Sequence, residues 1–426
     1  MGLLNFLRRL FGLRTSVRHQ RRKRRRRRKR LRKIKLVPLR YEQHRASQKT
    51  HKKNEVENLP YRFASLNYGF APGSSKRYLD FSDDYDRTQL NELQLPFFCT
   101  PDELALWLDI PVGQLAWLVH RFSDARRPES VQKAHYHYRW IKKRTGGRRL
   151  IEAPKRLLKS VQNQILRKIL NLIPAHDTAH GFVAGRSIVT NARPHTGQRV
   201  LLKFDLENFY ASVSYSRVVA IFRRVGYSRE AALWLARLTT STLPANIPFP
   251  DGDAYAIRPY LPRHLPQGAP SSPALANLSA FALDVRLSGM ARCFDAVYTR
   301  YADDLTFSGS QHFLRAMPLF IPLVTKIIRS ERFRVNLRKR KVIRNNQRQT
   351  VTGVVVNERP NISRKDFDRL KAILTNCVHH GPSSQNRDRH ENFAAHLRGR
   401  VAYVSQLNKN RGSKLFALYQ RIDWQR

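Results

Sequence analysis

The sequence has 426 residues, 41% of them apolar, which is enough to form a globular core and excludes a chain that is disordered throughout. Lysine and arginine outnumber aspartate and glutamate by 80 to 31, and the formal net charge is +49. This balance predicts a polyanionic partner, nucleic acid first, although ribosomal proteins and proteins on anionic membranes share it, so that charge alone indicates no activity.

The cysteines and the apolar segments exclude several other classes of protein. Cys99, Cys293 and Cys377 are widely spaced and form no CxxC pair, which argues against a disulfide framework and a structural zinc site. We therefore expect a reducing, cytoplasmic setting. No apolar run approaches the roughly 20 residues needed to span a bilayer. The N-terminus is apolar first and basic second, the reverse of a secretory signal.

The chain begins with a strongly basic segment. All ten positions from 21 to 30 are basic, and residues 1–40 contain no acidic side chain. This density of like charge predicts a solvated, largely disordered arm that adds affinity for phosphate, continuing as a linker to residue 95. An amphipathic helix touching a membrane or a partner is an alternative for the first residues, because apolar side chains recur at helical spacing at Leu3, Leu4, Leu7, Leu10 and Phe11.

A folded region is predicted to begin near Thr100, which caps a helix opened by Pro101, Asp102 and Glu103. The stretch from 136 to 154 alternates apolar and basic residues around a glycine turn, which predicts a β-hairpin with a cationic face. Apolar spacing then predicts a helix that ends before Pro174.

The second half of the chain reads as a mixture of strands and helices. An apolar run from Val200 to Asp205 predicts a strand that ends in a carboxylate, and 296–300 and 305–307 predict a hairpin. Helices are expected near 216–224, 228–240, 274–287 and 313–330, the last broken by Pro318 or Pro322, followed by a strand over 351–357. This order is that of an α+β sheet domain with its carboxylates on one face.

Three aspartates in this region suit metal-dependent nucleotide addition. The reaction needs two divalent cations roughly 4 Å apart, and hard cations prefer carboxylate oxygens. Asp205 at a strand end, with Asp303 and Asp304 in a neighbouring hairpin turn, would supply them. The alternative for an isolated Asp-Asp pair is that it merely favours a turn.

The segments around these aspartates carry a family resemblance. Residues 301–304 (YADD) resemble the signature motif of reverse transcriptases, and 204–210 (FDLENFY) are similar to their first catalytic motif. Residues 265–273 (LPQGAPSSP) resemble the motif between them. Three matches in the correct order make coincidence improbable. The chain is identified as resembling this family from about residue 95 to 425.

The resemblance implies a right-hand polymerase fold with fingers, a palm built on an antiparallel sheet with helices on one face, and a mostly helical thumb. The implied boundaries are 1–95 for the arm and linker, 96–199 for N-terminal helices and fingers, 200–357 for the palm with a fingers insertion around 216–275, and 358–426 for the thumb. The implied activity is that of an RNA-directed DNA polymerase.

The resemblance also implies roles for individual residues. Two Mg²⁺ ions would be bound by Asp205, Leu206, Asp303 and Asp304. Tyr210 matches the bulky residue that blocks a ribose 2′-OH, with core packing as the alternative. Arg148 or Arg149 would bind the triphosphate, and the sequence does not decide which of the two does so. The other implied nucleotide contacts are Gln267, Gly268 and Lys339, the last of which is alternatively one more exposed lysine in a basic strip.

Two short motifs narrow the resemblance to retron reverse transcriptases. Asn191 to His195 (NARPH) matches their NAxxH pattern, and Val351-Thr352-Gly353 matches their VTG element, which implies RNA binding at Asn191, His195, Val351, Thr352 and Gly353. An ordinary capping or core histidine is the alternative for His195. The implied partners are dNTPs, a structured noncoding RNA primed from a guanosine 2′-OH to give branched RNA-linked DNA, and an effector protein in defence against phage.

Other functions and sites remain as alternatives. A group II intron or diversity-generating reverse transcriptase shares the core motifs, and a non-catalytic RNA-binding scaffold on a polymerase fold is the rival from another class. His176 and His180 stand four apart but lack a third metal ligand nearby. Glu207 and Asp284 are expected at the surface or at a helix cap rather than on a metal.

Overall fold

The computed structural model describes residues 83–120, 127–128, 130–143, 146–247 and 257–425. The predicted basic arm and the amphipathic N-terminal segment lie outside these described residues. Within these ranges, no helix combines the length and the apolar content that crossing a bilayer requires.

Short helices and one hairpin precede the central sheet. Thr100 caps the second helix as predicted, because its hydroxyl accepts from the Glu103 backbone while the Glu103 carboxylate accepts from the Thr100 N–H. The hairpin strands pair antiparallel across the predicted glycine turn. These elements are α1 (Arg87–Glu92), α2 (Pro101–Leu108), α3 (Val112–His120), β1 (Tyr136–Lys142), β2 (Arg148–Pro154), α4 (Arg156–Lys168) and α5 (Ile188–Ala192).

A four-stranded antiparallel sheet forms the centre, in the order β4-β5-β3-β6. The apolar run of β3 is explained by its position between two strands, where all but one of its side chains are buried. The elements are β3 (Val200–Asp205), α6 (Tyr215–Arg224), α7 (Arg229–Thr239), α8 (Ser272–Ser279), α9 (Phe281–Cys293), β4 (Ala296–Tyr301), β5 (Asp304–Gly309), α10 (Gln311–Ser330) and β6 (Lys341–Arg344).

Aromatic packing fixes α10 on the sheet. The ring of Phe307 on β5 lies 5.1 Å from that of Phe320 on α10 and 4.7 Å from that of Tyr298 on β4. The C-terminal part then forms a second core around the helices, beginning with a small hairpin. Its elements are β7 (Thr350–Val351), β8 (Val354–Val355), α11 (Arg364–His380), α12 (Phe393–Leu407) and α13 (Lys409–Gln420).

The prediction that Pro318 or Pro322 breaks the helix near 313–330 is wrong, because α10 runs through both prolines. Each proline removes a backbone donor, but both lie on the exposed side of the helix, where water can satisfy the freed carbonyl groups. The opposite side carries Phe313, Phe320 and Val324, which are fully buried and hold the helix against the sheet. Packing therefore outweighs the two missing hydrogen bonds.

Two further segments differ from the predictions. Residues 83–95 were assigned to the linker, yet α1 packs against the folded region, with Leu90 buried and the Asp86 N–H donating to the Gly226 carbonyl at 2.8 Å. Residues 351–357 do not form one strand, because a turn at Thr352-Gly353 separates β7 from β8. The cause is left-handed backbone at Thr352 (φ 47°) and Gly353 (φ 85°), which reverses the chain.

Candidate active site

The strand register brings the three predicted aspartates to one end of the central sheet. Asp205 ends β3 and lies directly opposite Asp304, the first residue of β5. Asp303 stands in the two-residue turn between β4 and β5, and its carbonyl accepts a hydrogen bond from the Leu206 N–H at 2.9 Å. Residues separated by about 100 positions along the chain therefore meet at a single edge.

Burial and mutual repulsion make this edge unfavourable for negative charge. Burial, followed by the neighbouring carboxylates of Asp304 and Asp205, raises the pKa of Asp303 to about 6. Burial also raises the pKa of Asp304. The Lys339 Nζ lies 2.9 Å from Oδ2 of Asp205 and offsets part of the repulsion. A cluster of this kind is stabilised by any cation that it can bind.

The carboxylate cluster fits divalent metal ions in its chemistry. Its donors are all oxygens, the ligands that hard cations prefer. In the described part of the chain, no three His, Cys, Asp or Glu side chains are arranged to hold one ion as they stand. That finding agrees with the Lys339 contact, since an ammonium group occupies one carboxylate oxygen of Asp205. An ion that bound through Oδ2 of Asp205 would therefore require the Lys339 side chain to move away.

A cavity of about 710 Å³ opens in front of the carboxylates, which is within the size range of sites for small ligands. Its wall combines acidic and cationic side chains, as a site for a metal-bound polyphosphate would need. Of the residues predicted to bind metal or nucleotide, Asp304, Gly268 and Arg148 do not line the cavity. The other seven line it: Arg149, Asp205, Leu206, Tyr210, Gln267, Asp303 and Lys339.

The hairpin of β1 and β2, which we call the fingers hairpin, presents one of the two candidate arginines to this cavity. Arg149 is exposed and lines it, whereas its neighbour Arg148 does not, as expected for adjacent residues of a strand. Lys143, just after β1, also lines the cavity and was not predicted. Burial lowers its pKa, and the nearby Arg149 and Lys339 lower it further. The signal that could have identified Lys143 is its place beside the glycine turn of the hairpin that also carries Arg149.

The segment around Gln267 is docked on β2. The Gln267 carbonyl accepts from the Glu152 N–H at 2.8 Å. Gly268 has a φ of 125°, and a Cβ at this position would lie 3.1 Å from the Glu152 carbonyl oxygen. The sequence therefore needs glycine here for both its backbone conformation and its close approach to the strand.

A buried ion pair lies behind this segment. The His264 Nε2 lies 2.8 Å from Oε2 of Glu152, and both side chains are almost completely shielded from solvent. Burial alone would lower the pKa of His264, but the Glu152 carboxylate and the hydrogen bonds to Glu152 and Pro262 raise it above its usual value. The pair fixes β2 to the Gln267 segment.

Tyr210 forms part of the cavity wall next to Asp205. Its ring is half-buried and lies 5.6 Å from the ring of Phe209. Burial raises the pKa of its hydroxyl to about 12, so the side chain is neutral at physiological pH. The residue therefore presents a fixed, uncharged bulk to whatever enters the cavity.

Beneath the Asp303 turn lies a charged pair that sequence reasoning missed. Asp284 was expected at the surface or at a helix cap, but it is fully buried and pairs with the fully buried Arg300 at 2.6 Å. The partner of Asp284 is 16 residues away on another element, so local pattern could not identify it. An arginine directly before the aspartate turn was the only sequence signal.

The residues predicted to bind RNA fall into two groups. The side chains of Asn191, His195 and Val351 are buried, so RNA cannot contact them directly in this conformation. The Nδ1 of His195 lies 2.7 Å from the Ser308 hydroxyl, and its Nε2 lies 2.8 Å from the Thr299 hydroxyl. Burial lowers the pKa of His195 to about 3. The alternative of a core histidine therefore describes it better. At the tip of the β7–β8 turn Gly353 is exposed, whereas Thr352 is half-buried and its hydroxyl donates to the Ile188 carbonyl at 3.2 Å.

Comparison with known proteins adds a finding independent of this geometry. The family model for reverse transcriptase (RNA-dependent DNA polymerase) matches residues 141–356, which include all three aspartates. The retron Mx65 reverse transcriptase of Myxococcus xanthus is 40% identical over 78% of this chain and 73% of its own length. The retron Mx162 enzyme of the same organism is 34% identical, over 76% and 67%. The retron Ec86 enzyme of Escherichia coli is 30% identical, over 79% and 93%.

Proposed function

The chain belongs to the reverse transcriptases of the retron type and is an RNA-directed DNA polymerase, and from this premise we propose that Asp205, Asp303 and Asp304 bind its catalytic metal ions. The observation that carries the proposal is the register of β3 and β5, which sets Asp205 opposite Asp304 beside the Asp303 turn. These enzymes generally use divalent metal ions. We propose Mg²⁺, two ions per site, with Leu206 as a further contact.

The proposed chemistry is nucleotidyl transfer to a hydroxyl group. Bound Mg²⁺ ions lower the pKa of the attacking hydroxyl and support the departing pyrophosphate. Asp205 and Asp303 hold negative charge where the cavity receives a polyphosphate. With metal ions bound, Lys339 would be free to leave Asp205 and to donate a proton or a hydrogen bond toward the pyrophosphate oxygens. The 2.9 Å contact between Lys339 and Asp205 supports this proposed exchange of partners.

We assign nucleotide selection to three parts of the cavity wall. Arg149 and Lys143 on the fingers hairpin bind triphosphate oxygens, for which a guanidinium fork and an ammonium group are suited. Gln267 contacts the incoming nucleotide, and Gly268 lets its segment lie close to β2. Tyr210 fills the space beside the sugar and disfavours a ribose 2′-OH, which gives a preference for dNTPs.

The finer function that we propose is that of retron DNA synthesis. The enzyme would copy part of a cognate structured noncoding RNA, starting from the 2′-OH of a guanosine, and produce branched RNA-linked msDNA that acts with an effector protein in antiphage defence. This proposal is supported by the fact that the three relatives compared above are all retron reverse transcriptases. The β7–β8 turn, with Gly353 exposed and Thr352 half-buried, is the part of the predicted RNA-binding motifs that we propose contacts RNA, and the helices from α11 onward form the proposed thumb.

Extension of a labelled primer annealed to an RNA template tests the proposal. With dNTPs and Mg²⁺ the protein should extend the primer, and Asp303→Asn should reduce extension at least about 1000-fold while RNA binding stays within about twofold, because the site would lose one of its proposed carboxylate ligands. Glu358→Gln, an exposed acidic residue in the C-terminal half, serves as the control. Extension by Asp303→Asn at the rate of the unaltered protein would contradict the proposal, and RNA binding without extension by either protein would favour a scaffold.

A second experiment addresses priming. The protein is co-expressed with the cognate noncoding RNA, which we propose is encoded beside its gene, and the DNA product is isolated with any attached RNA. A product that loses its RNA only after treatment with a debranching enzyme supports the 2′-OH origin. A product with a free 5′ end or a 3′-linked RNA would instead favour the intron-like alternatives.

A further inference from the structure

Arg300 is a fully buried arginine immediately before the aspartate turn. Charged side chains are seldom completely buried unless they are paired. Here Nε donates to Oδ1 of Asp284 at 2.8 Å and Nη2 donates to Oδ2 at 2.6 Å, so the guanidinium group binds the carboxylate with two parallel hydrogen bonds. Tyr298 donates to the same carboxylate at 2.8 Å. The Asp284 carboxylate thus fixes the orientation of the guanidinium plane.

The third nitrogen of this guanidinium group reaches the turn itself. Nη1 donates to the carbonyl of Ala302 at 3.1 Å and to Oδ1 of Asn277 at 2.9 Å. Ala302 has a φ of 55°, a backbone conformation that residues other than glycine adopt only when their surroundings impose it. The peptide that Arg300 holds directly precedes Asp303. A displacement of this carbonyl therefore displaces the Asp303 backbone.

A second segment closes the turn from its other side. Asn277 donates through Nδ2 to the carbonyl of Gly181 at 2.8 Å, which ties that segment to the same network. A Cβ on Gly181 would lie 2.7 Å from the Ala302 nitrogen, so backbone packs directly on backbone. Arg300 also exchanges backbone hydrogen bonds with Thr178 and His180 at 2.7 and 2.8 Å. The turn is therefore held on both sides.

The same guanidinium group also faces the other wall of the site. Its central carbon lies 5.7 Å from the centre of the Phe209 ring, and Phe209 directly precedes Tyr210. One buried cation thus contacts both the turn that carries Asp303 and the segment that carries Tyr210. A buried ion pair seldom adds stability compared with apolar residues of similar volume, so its position needs another explanation.

We propose that Arg300 is a positioning residue, which sets the Asp303 turn relative to the Tyr210 segment through Ala302, Asn277 and Asp284. The inference rests on the proposed catalytic role of Asp303. Loss of the hydrogen bonds that the Arg300 guanidinium group donates should therefore slow the chemical step while binding of nucleotide and RNA persists. Arg300 is fully buried and does not line the cavity.

The variant Arg300→Lys tests this inference, because lysine keeps the charge opposite Asp284 but has only one nitrogen and cannot also hold Ala302 and Asn277. We expect kcat per folded molecule to fall about 10-fold or more, since misplacement by about 1 Å costs on the order of 100-fold. The KM for dNTP and the Kd for RNA should change less than about twofold. Arg286→Lys is the matched control, because Arg286 lies on the same helix as Asp284 and pairs with Glu331 at 2.6 Å, away from the turn.

A purely structural role predicts a different result. In that case Arg300→Lys would lower Tm, and kcat per folded molecule would equal that of Arg286→Lys, which would overturn the inference. If Arg300→Lys does not fold, Asn277→Ala decides, because it leaves the pair of Arg300 and Asp284 intact while removing the amide. A several-fold lower kcat with unchanged KM supports the inference, and an unchanged kcat overturns it.

Two comparisons complete the design. If Arg300 and Asn277 act as one unit, the double variant should be no slower than Arg300→Lys alone, whereas fully multiplicative losses would overturn the claim of a unit. Asp303→Asn is measured in the same assay. If Asp303→Asn extends primers normally, the proposed function fails. If it is inactive while Arg300→Lys keeps full kcat, only the positioning role fails.

Discussion

The Nζ of Lys339 lies 2.9 Å from Oδ2 of Asp205, so a cation of the protein itself occupies a carboxylate oxygen that we assign to a metal ion. Both groups line the same cavity. If Asp205 binds a metal ion as proposed, the ammonium group would compete with that ion until a nucleotide offered it phosphate oxygens. Such a competition would link metal binding to nucleotide binding.

Substitution of Lys339 by methionine tests that competition. Without nucleotide, Lys339→Met should bind divalent ions several-fold more tightly in calorimetric titration, because no ammonium group has to be displaced. With nucleotide, kcat should fall about 10-fold or more, as expected on loss of a general acid. Lys341→Met removes the same charge from the neighbouring strand and should change neither value more than twofold. Unchanged ion affinity in Lys339→Met would show that the contact with Asp205 does not affect metal binding.

Tyr210 should determine the choice between dNTPs and rNTPs by its bulk. We expect Tyr210→Ala to raise the ratio of kcat/KM for rNTP over dNTP by about 10-fold to 100-fold, since loss of a steric contact of this size is worth roughly 1–3 kcal/mol. Tyr210→Phe keeps the ring and loses only the hydroxyl, so its selectivity should match that of the unaltered protein. Single-nucleotide incorporation kinetics measure both. Equal selectivity of the alanine and phenylalanine variants would contradict the assignment.

Adjacent arginines of the fingers hairpin provide an internal control for triphosphate binding. Arg149 lines the cavity and Arg148 does not. Arg149→Ala should raise the KM for dNTP by about 10-fold or more, because a hydrogen bond to a charged group contributes about 1.5–3 kcal/mol. Arg148→Ala should raise it less than twofold, although both variants lose one positive charge. A reversed order of effects in steady-state extension assays would mean that the hairpin rotates when nucleotide binds.

The buried pair of His264 and Glu152 should make stability depend on pH. The pKa of His264 is raised in the folded protein above its ordinary value of 6.5, so the protonated pair contributes its full stabilisation below about pH 6.5. That stabilisation is lost as the pH rises through the folded-state pKa. The free energy of unfolding should therefore fall between neutral and alkaline pH more steeply for the unaltered protein than for His264→Gln. Parallel curves in denaturant titrations from pH 6 to 9 would exclude the effect.

Sequence patterns predicted the parts of the site whose signals are local. The three aspartates, Gln267 and Tyr210 stand within short motifs, and the strands that carry Asp205 and Asp304 have apolar runs that identify them. Antiparallel pairing then brings these motifs together. The choice between Arg148 and Arg149 needed the structure, because it depends on which side of β2 faces the cavity.

Long-range pairing explains what the sequence did not reveal. Asp284 had the pattern of a surface residue, and only the fold brings Arg300 against it in the interior. His195 and Asn191 belong to a motif associated with RNA, yet their side chains are buried against the sheet. The prolines of α10 illustrate the same limit for secondary structure, because tertiary packing of the buried face overrides a local helix breaker.

The pairing of Asp205 with Asp304 also restricts how this enzyme can be engineered. Side chains alternate between the two faces of a strand, so an insertion or deletion of one residue within β5 would move the residues on one side of the change to the opposite face and would break the register that sets Asp304 opposite Asp205. A library of variants with inserted or deleted residues should therefore leave the β4–β5 hairpin, which carries Asp303 and Asp304, at its present length.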